Sequence, residues 1–222
     1  MRAVKYGVTR NYVMALELVK SDGTVITVGT KNRKDTTGLN LKDIVIGSEG
    51  TLAIITKCLL RLIGKPEKSL SVLVGFNSLK AGIEAVPKIL KANLNPTALE
   101  FIERKVVKLG EDFLKIKFPL ESQSGMQMIS FGHAGDGNVH LCVVRGNRSD
   151  EEWETELHAN LEKLYAKAHN LEGLISGEHG LGVSKRDFFF KETPAANVAL
   201  MNSVKQAFDP QGILNPKISY VN

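Results

Sequence analysis

The chain has 222 residues, of which 43% are hydrophobic and 24% charged, a balance typical of globular proteins with one large or two small domains. Its two cysteines, Cys58 and Cys142, lie in apolar runs, which disfavours a disulfide framework and favours a reducing compartment. The net charge of +5 is dispersed among acidic residues, so nucleic acid is not an expected partner. The segment MRAVKYGVTR resembles neither a signal peptide nor a membrane anchor, and we predict a cytoplasmic protein without a transmembrane segment.

Residues 1–63 are rich in β-prone runs. YVMALELV and VITVGT flank the turn SDGT, which predicts a β-hairpin. DIVI (43–46) and LAIITKCLLRLI (52–63) are predicted as two further strands, separated by the loop GSEGT. Small residues in such a loop leave backbone N–H groups accessible to a phosphate or a polar ring edge. The loop has neither the GxGxxG nor the Walker pattern, so neither a Rossmann site nor a P-loop follows.

The predicted secondary structure changes from β-rich to mixed after GKPE (64–67), which has the Gly and Pro of a linker. SLSVLVGF (69–76) is predicted as a strand and LKAGIEAVPKILKAN (79–93) as a helix, and another strand is expected within ALEFIERKVVKLGEDF (98–113). A strand, a helix and a strand in this order indicate an α+β layer.

The stretch FGHAGDGNVH (131–140) predicts a hairpin, because Asp-Gly between apolar runs favours a two-residue type I′ turn. With the turn at Asp136 and Gly137, the predicted pairs are Gly135 with Asn138, Ala134 with Val139, His133 with His140, Phe131 with Cys142 and Ile129 with Val144. Both faces are mostly apolar, so we expect the hairpin inside a sheet that is covered on both sides. Two imidazoles facing each other across strands could hold one ion.

Two helices are predicted in the last third of the chain. DEEWETELHANLEKLYAKAHNL (150–171) is amphipathic, with Ser149 or Asp150 as its N-cap, and we assign its His158 and His169 structural roles. Residues 193–209 form the second predicted helix, which DPQGILNP ends with its Pro and Gly.

Between these helices lies SGEHGLG (176–182), in which glycines flank Glu178 and His179. Glu178 could complete a two-His, one-carboxylate metal site with His133 and His140, and His179 could act as a general base. The spacing of His133 and His140 supports ligation and a structural role about equally, and GEHG taken alone reads more readily as a plain turn.

Five motifs in this order closely resemble the FAD-linked oxidases of the glycolate oxidase, D-lactate dehydrogenase and D-2-hydroxyglutarate dehydrogenase type: RAVKYGVTRNYV, DIVIGSEGTLAIIT, GHAGDGNVH, ISGEHGLG and FDPQGILNP. The resemblance implies an α+β fold, with part of a vanillyl-alcohol-oxidase-type FAD-binding domain and a ferredoxin-like cap domain. It implies oxidation of a D-2-hydroxy acid to the 2-oxo acid by hydride transfer to flavin.

The resemblance also assigns roles to residues. His133, His140 and Glu178 would bind zinc or a similar divalent metal, Asn138 would contact the substrate, and His179 would remove the hydroxyl proton. The residues implied in FAD binding are Lys5, Tyr6, Gly7, Glu49, Gly50, Thr51, Leu52, Ala53, Ile54, Ile55 and Asn215.

By comparison with that family, residues 1–64 would be the C-terminal part of the FAD-binding domain, 65–205 the cap domain and 206–222 a segment returning to the flavin. The βαβ region with its pyrophosphate-binding loop is absent, and a second gap falls within the cap near residues 120–125. The alternative is therefore a truncated remnant or partial subunit that retains the metal site and is inactive alone. An electron-transfer flavoprotein or an iron-sulfur subunit would be the expected partner.

Overall fold

A computed structural model describes residues 2–103, 106–108, 129–143, 145 and 148–218. The chain divides into two compact units, Met1–Val8 with Lys65–Leu157 and Thr9–Gly64 with His158–Asn222, called here the first and the second unit. Each contains a three-stranded antiparallel sheet together with helices, so the predicted α+β class is confirmed. The three-part domain division drawn from the sequence stays a prediction.

In chain order, the elements are α1 (Ala3–Tyr6), a 3-10 turn (Thr9–Tyr12), β1 (Val13–Val19), β2 (Val25–Gly29), α2 (Leu41–Val45), β3 (Ile54–Leu60), α3 (Leu79–Lys91), β4 (Phe101–Ile102), β5 (Ile129–His133), β6 (Asn138–Cys142), α4 (Asp150–Asn170), α5 (Arg186–Glu192), α6 (Ala195–Phe208) and a 3-10 turn (Pro216–Ile218). Among the described residues, no helix combines the length and apolar character needed to cross a membrane.

The sheet of the second unit has the order β2-β1-β3. The predicted hairpin of β1 and β2 is confirmed, and its turn is closed by Asp22, whose side chain accepts a hydrogen bond of 2.9 Å from Thr24 N. The predicted strand after GSEGT is confirmed over Ile54–Leu60. The core of the unit packs around the central strand: Val13, Leu16, Leu18, Val28, Val45 and Ala53.

The first three residues of DIVI belong to α2 and Ile46 is its C-cap, so the predicted strand at 43–46 is wrong. Asn40 caps α2 by accepting a hydrogen bond from Asp43 N, at 3.3 Å. Arg10 then donates to two carbonyls at the end of the segment, Asp43 O at 2.8 Å and Ile46 O at 2.6 Å. A cap at one end and a cation at the other favour one short helix over a strand.

The first unit has a second sheet of order β4-β5-β6. The predicted helix at 79–93 is confirmed as α3, which Ser78 caps, and the predicted strand within 98–113 is confirmed only as Phe101–Ile102. SLSVLVGF does not form a strand, because in the described part of the chain it makes no backbone pairing with another strand. Its apolar side chains are exposed, Leu70 by 89% and Val72 by 76%.

The helix predicted from residue 150 is confirmed as α4, and the structure selects Ser149 as its cap. Ser149 Oγ accepts from Glu152 N at 3.2 Å, and the Glu152 carboxylate accepts from Ser149 N at 2.9 Å, which is a reciprocal capping box. The helix predicted over 193–209 is confirmed as α6, and α5 was not predicted.

A buried ion pair at the end of α6 ties distant parts of the second unit together. The ammonium of Lys205 contacts the Asp209 carboxylate and donates to Thr51 O at 2.7 Å and to Leu214 O at 2.8 Å. Asp209 also accepts from Leu214 N at 2.8 Å and from Ile213 N at 3.2 Å. Lys205 and Asp209 are 3% and 1% exposed, so neither charge is solvated by water.

Burial alone would raise the pKa of Asp209, but the hydrogen bonds from Lys205 and from two backbone N–H groups outweigh it and hold the pKa below its usual 3.8. A carboxyl with a lowered folded-state pKa stabilises the fold above its ordinary value. That stabilisation is lost as the pH falls through the lowered pKa.

Lys205→Met is expected to lower the free energy of unfolding by roughly 3–5 kcal/mol, because it leaves the Asp209 carboxylate buried without its cation. Urea unfolding of the whole chain measures the change. The matched control is Lys57→Met, which removes the exposed pair that Lys57 forms with Glu17 at 2.8 Å. The control should cost less than about 1 kcal/mol, and equal costs for the two variants would contradict the importance of the buried pair.

Candidate functional site

The histidine hairpin of the first unit forms, but with a different register from the predicted one. His133 pairs with Asn138, Gly132 with Val139 and Phe131 with His140. The loop therefore has four residues, 134–137, and the predicted pairs His133–His140, Gly135–Asn138 and Ala134–Val139 are wrong. The same shift corrects the predicted partners of Phe131 and Ile129, because Ile129 pairs with Cys142.

The longer loop has a physical reason. A type I′ turn needs positive φ at both central residues, whereas Gly137 has φ 77° and Asp136 is not left-handed. Gly135 N donates to Leu99 O at 3.0 Å, which keeps Gly135 out of the ladder. Gly135 also approaches α1 so closely that a Cβ there would lie 2.8 Å from a methyl carbon of Val4.

The hairpin is also more exposed than predicted. β5 is the central strand of its sheet, but β6 is an edge strand, and Val139 is 54% exposed. The prediction that both faces are covered is therefore wrong for β6 in the described part of the chain.

The register shift of two residues leaves both histidines on one face, because side chains alternate with a period of two. The ring centroids of His133 and His140 are 5.3 Å apart, with the rings nearly perpendicular. The His140 ring stacks on Phe131 with centroids 5.0 Å apart. The structure therefore brings the two predicted metal-ligating imidazoles together as diagonal neighbours, and Asn138 lies beside them as the cross-strand partner of His133.

Glu100 is a part of this cluster that the sequence analysis missed. Its carboxylate contacts Nδ1 of His133. Burial raises the pKa of Glu100, but hydrogen bonds, including the one from His133, outweigh it and leave the pKa lowered. A carboxylate that accepts the Nδ1 proton leaves Nε2 as the nitrogen available to a ligand. This arrangement is typical of histidines that bind metals.

Lys5, Tyr6 and Gly7 also belong to the first unit. Lys5 and Tyr6 lie in α1, and the Lys5 ammonium is 5.5 Å from the centre of the Tyr6 ring. Gly7 ends the helix with φ 75°, a backbone conformation that suits glycine.

In the second unit, the GSEGT loop forms the wall of an open cavity of about 320 Å³. Five of the residues implied in FAD binding line it: Glu49, Gly50, Ala53, Ile54 and Ile55. Thr51 and Leu52 are instead buried and line a separate cavity of about 350 Å³. The loop bends sharply because Gly47, Glu49 and Gly50 all have positive φ. The first cavity thus combines accessible loop backbone with apolar side chains.

The loop SGEHGLG contacts this GSEGT loop through Glu49. Glu49 accepts hydrogen bonds from Leu181 N at 2.8 Å and from Gly182 N at 3.0 Å. Within the loop, Nε2 of His179 lies 3.5 Å from a carboxylate oxygen of Glu178, and the His179 side chain is 66% exposed. The predicted base and the predicted carboxylate ligand are therefore adjacent in the second unit.

The closing motif ILNP reaches the same loop. Asn215 Nδ2 donates to Glu49 O at 2.6 Å, and the Lys205 ammonium joins the Thr51 and Leu214 carbonyls. The sequence analysis missed Lys205, although its spacing of four residues from Asp209 was a visible sign of a helical ion pair. Three of the five motifs thus meet around one loop of the second unit.

Comparison with known proteins gives one family and several relatives. A family model described as "FAD linked oxidases, C-terminal domain" matches residues 65–124 and 120–218. A D-lactate dehydrogenase of Anaerostipes hadrus is 29% identical over 99% of this chain and 66% of its own length. Glycolate oxidase subunit GlcD of Bacillus subtilis (strain 168) is 28% identical, with 97% and 64% covered. The mitochondrial D-2-hydroxyglutarate dehydrogenase of Danio rerio is 26% identical, with 97% and 57% covered.

The chain spans slightly less than two thirds of the length of the first two of these relatives. The alignment with the Anaerostipes hadrus enzyme extends over 316 positions, against 222 residues here, so that relative has additional residues within the aligned span. The two family matches meet at residues 120–124, the region in which the sequence analysis places an internal gap.

Gly180→Ala is expected to destabilise the second unit, because a Cβ at Gly180 would lie 2.7 Å from Glu49 Oε1 and displace the carboxylate from its two donors. Gly23→Ala is the matched control, since Gly23 also has positive φ but a Cβ there would meet nothing within 4 Å. In urea unfolding, the control should cost about 1 kcal/mol from backbone strain. Gly180→Ala should cost roughly 1–3 kcal/mol more, and equal costs would contradict the close approach of Glu49.

Proposed function

Because this chain belongs to the FAD linked oxidases through their C-terminal domain, we propose that it serves an FAD-dependent oxidoreductase of D-2-hydroxy acids. The substrate would be of the glycolate or D-lactate class, and the product its 2-oxo acid. The names of the relatives support this class of substrate. The observation that carries the proposal is the pair of imidazoles on one face of the hairpin, His133 and His140, with Glu100 orienting one of them.

The proposed metal ligands are His133, His140 and Glu178. Two imidazoles and a carboxylate form a donor set that suits zinc or a similar divalent cation and leaves coordination positions for a substrate. The hairpin fits this role, because its two rings are diagonal neighbours with centroids 5.3 Å apart. The contact of Glu100 with Nδ1 of His133 supports it further, since a proton held on Nδ1 leaves Nε2 available to the metal.

The proposed flavin contacts lie mainly on the GSEGT loop of the second unit. The lining of its cavity suits a flavin ring. Ile54 and Ile55 offer apolar surface to the ring, and the backbone of the glycine-rich loop can contact it directly because glycine has no side chain. Asn215 stabilises this loop through its bond to Glu49 O. The family resemblance supports five further FAD-binding residues: Lys5, Tyr6, Gly7 and the buried Thr51 and Leu52.

Each reacting group of the chain has a proposed role in the reaction. When bound, FAD would supply the acceptor for the hydride from C2 of the substrate, and a divalent cation held by His133, His140 and Glu178 would supply charge stabilisation at the hydroxyl oxygen. His179 takes the hydroxyl proton, for which an exposed imidazole in the middle of a glycine-rich loop is suited. Asn138 orients the substrate through its amide side chain.

A second candidate is a partial subunit that binds the metal and needs another chain for turnover. The observation in its favour lies inside the aligned span, where the Anaerostipes hadrus enzyme has residues that this chain lacks, 316 positions against 222 residues. In either case, an electron-transfer flavoprotein or an iron-sulfur subunit is the proposed electron acceptor, and the cytoplasm the proposed location.

The metal site predicts that the purified chain binds one Mn²⁺ or Zn²⁺ ion, measured by isothermal titration. His133→Ala, His140→Ala and Glu178→Gln should each weaken binding by well over tenfold, and Glu100→Gln by roughly tenfold. His158→Ala is the control, because His158 packs on Phe188 with ring centroids 5.1 Å apart. Binding that survives both hairpin variants would refute the site.

The two candidate functions differ in flavin retention. If the chain is itself an FAD-dependent dehydrogenase, it should keep flavin absorbance after incubation with FAD and desalting. It should then reduce an artificial electron acceptor with D-lactate or glycolate. A chain that binds the metal but retains no flavin supports the partial subunit. A chain that binds neither contradicts both.

A further inference from the structure

We infer that Glu49 is a positioning residue, whose carboxylate holds the loop 176–182 in the conformation that presents Glu178 and His179. This inference rests on the proposed function for the roles of those two residues. It assigns Glu49 a task beyond the flavin contact that the resemblance implies.

The first observation is that both oxygens of the Glu49 carboxylate are engaged by backbone N–H groups of this loop. Oε1 accepts from Leu181 at 2.8 Å and Oε2 from Gly182 at 3.0 Å. Hydrogen bonds to an ionised carboxylate are stronger than neutral ones, and two parallel bonds also fix direction. They hold the chain two and three residues after His179.

The second observation is the backbone conformation of Glu49, which has φ 51° between Gly47 and Gly50. Glycine adopts this left-handed region without steric cost, whereas a side chain makes it unfavourable. Asn215 Nδ2 holds the same residue by donating to Glu49 O at 2.6 Å. The two loop contacts of the carboxylate offset the unfavourable backbone that Glu49 adopts.

The third observation is the close approach of Gly180, whose position leaves no room for a Cβ beside Glu49 Oε1. The carboxylate therefore lies directly against the residue that follows His179. Because Glu49 also lines the cavity proposed for flavin, one side chain links the proposed flavin loop to the loop of the proposed ligand and base.

Glu49→Gln tests this role, because glutamine keeps the size of the side chain but directs an NH₂ group at one of the two N–H donors. Glu172→Gln is the matched control: Glu172 is another glutamate of the second unit with positive φ (60°), and it is exposed. The experiment measures amide exchange at Leu181 and Gly182 by NMR, Mn²⁺ affinity by titration and the thermal midpoint, all on the full chain.

We expect both amides to exchange at least tenfold faster in Glu49→Gln, and Mn²⁺ affinity to fall roughly tenfold, as for residues that orient metal ligands. The thermal midpoint should fall by no more than a few degrees, because losing these bonds weakens the fold without unfolding it. Glu172→Gln should change neither amide exchange nor affinity. Unchanged exchange in Glu49→Gln would overturn the inference, and so would faster exchange with unaltered Mn²⁺ affinity. If the wild type binds no Mn²⁺, the proposed metal site fails instead, and amide exchange alone decides whether Glu49 holds the loop.

Discussion

The second unit depends on one buried ammonium group. Lys205 has almost no contact with water, so its charge must be stabilised by protein oxygen atoms, and Asp209, Thr51 and Leu214 provide them. Two of these partners belong to the segment after α6, and the third follows Glu49 and Gly50 in the GSEGT loop. Satisfying this single cation therefore fixes the loop against the closing segment. Glu49 in turn accepts hydrogen bonds from the backbone N–H groups of Leu181 and Gly182, so the loop that contains Glu178 and His179 is fixed to the GSEGT loop.

The sequence predicted correctly those helices and turns that depend on residues close together in the chain. The apolar spacing of α3, the cap of α4 and the Pro and Gly that end α6 were readable from the sequence, and so was the β1–β2 hairpin with its Asp-Gly turn. The shared face of His133 and His140 was also predicted correctly, although their register was not. An error of two residues preserves the face, and the true loop length depends on the bond from Gly135 to Leu99, which the turn sequence does not reveal.

The failures come from distant partners. DIVI has β-prone residues, but Arg10 satisfies the carbonyls at its end and favours a helix. SLSVLVGF has the composition of a strand, yet a strand needs a hydrogen-bonded neighbour, and propensity does not reveal that the described part of the chain gives it none. The contacts of Glu49 with Leu181 and of Lys205 with Thr51 join residues 132 and 154 positions apart. The resemblance named these motifs as parts of one site, but only the folded chain shows which atoms connect them.

The central claim is that the two imidazoles of the hairpin and one carboxylate bind a divalent cation for hydroxy acid oxidation. X-ray absorption spectroscopy of the zinc-loaded protein tests it most directly, because it reports the number and type of ligand atoms. The account predicts two imidazole nitrogens and carboxylate oxygen at about 2.0–2.2 Å from the metal. Zinc bound to sulfur, or only to water oxygens, would contradict this claim.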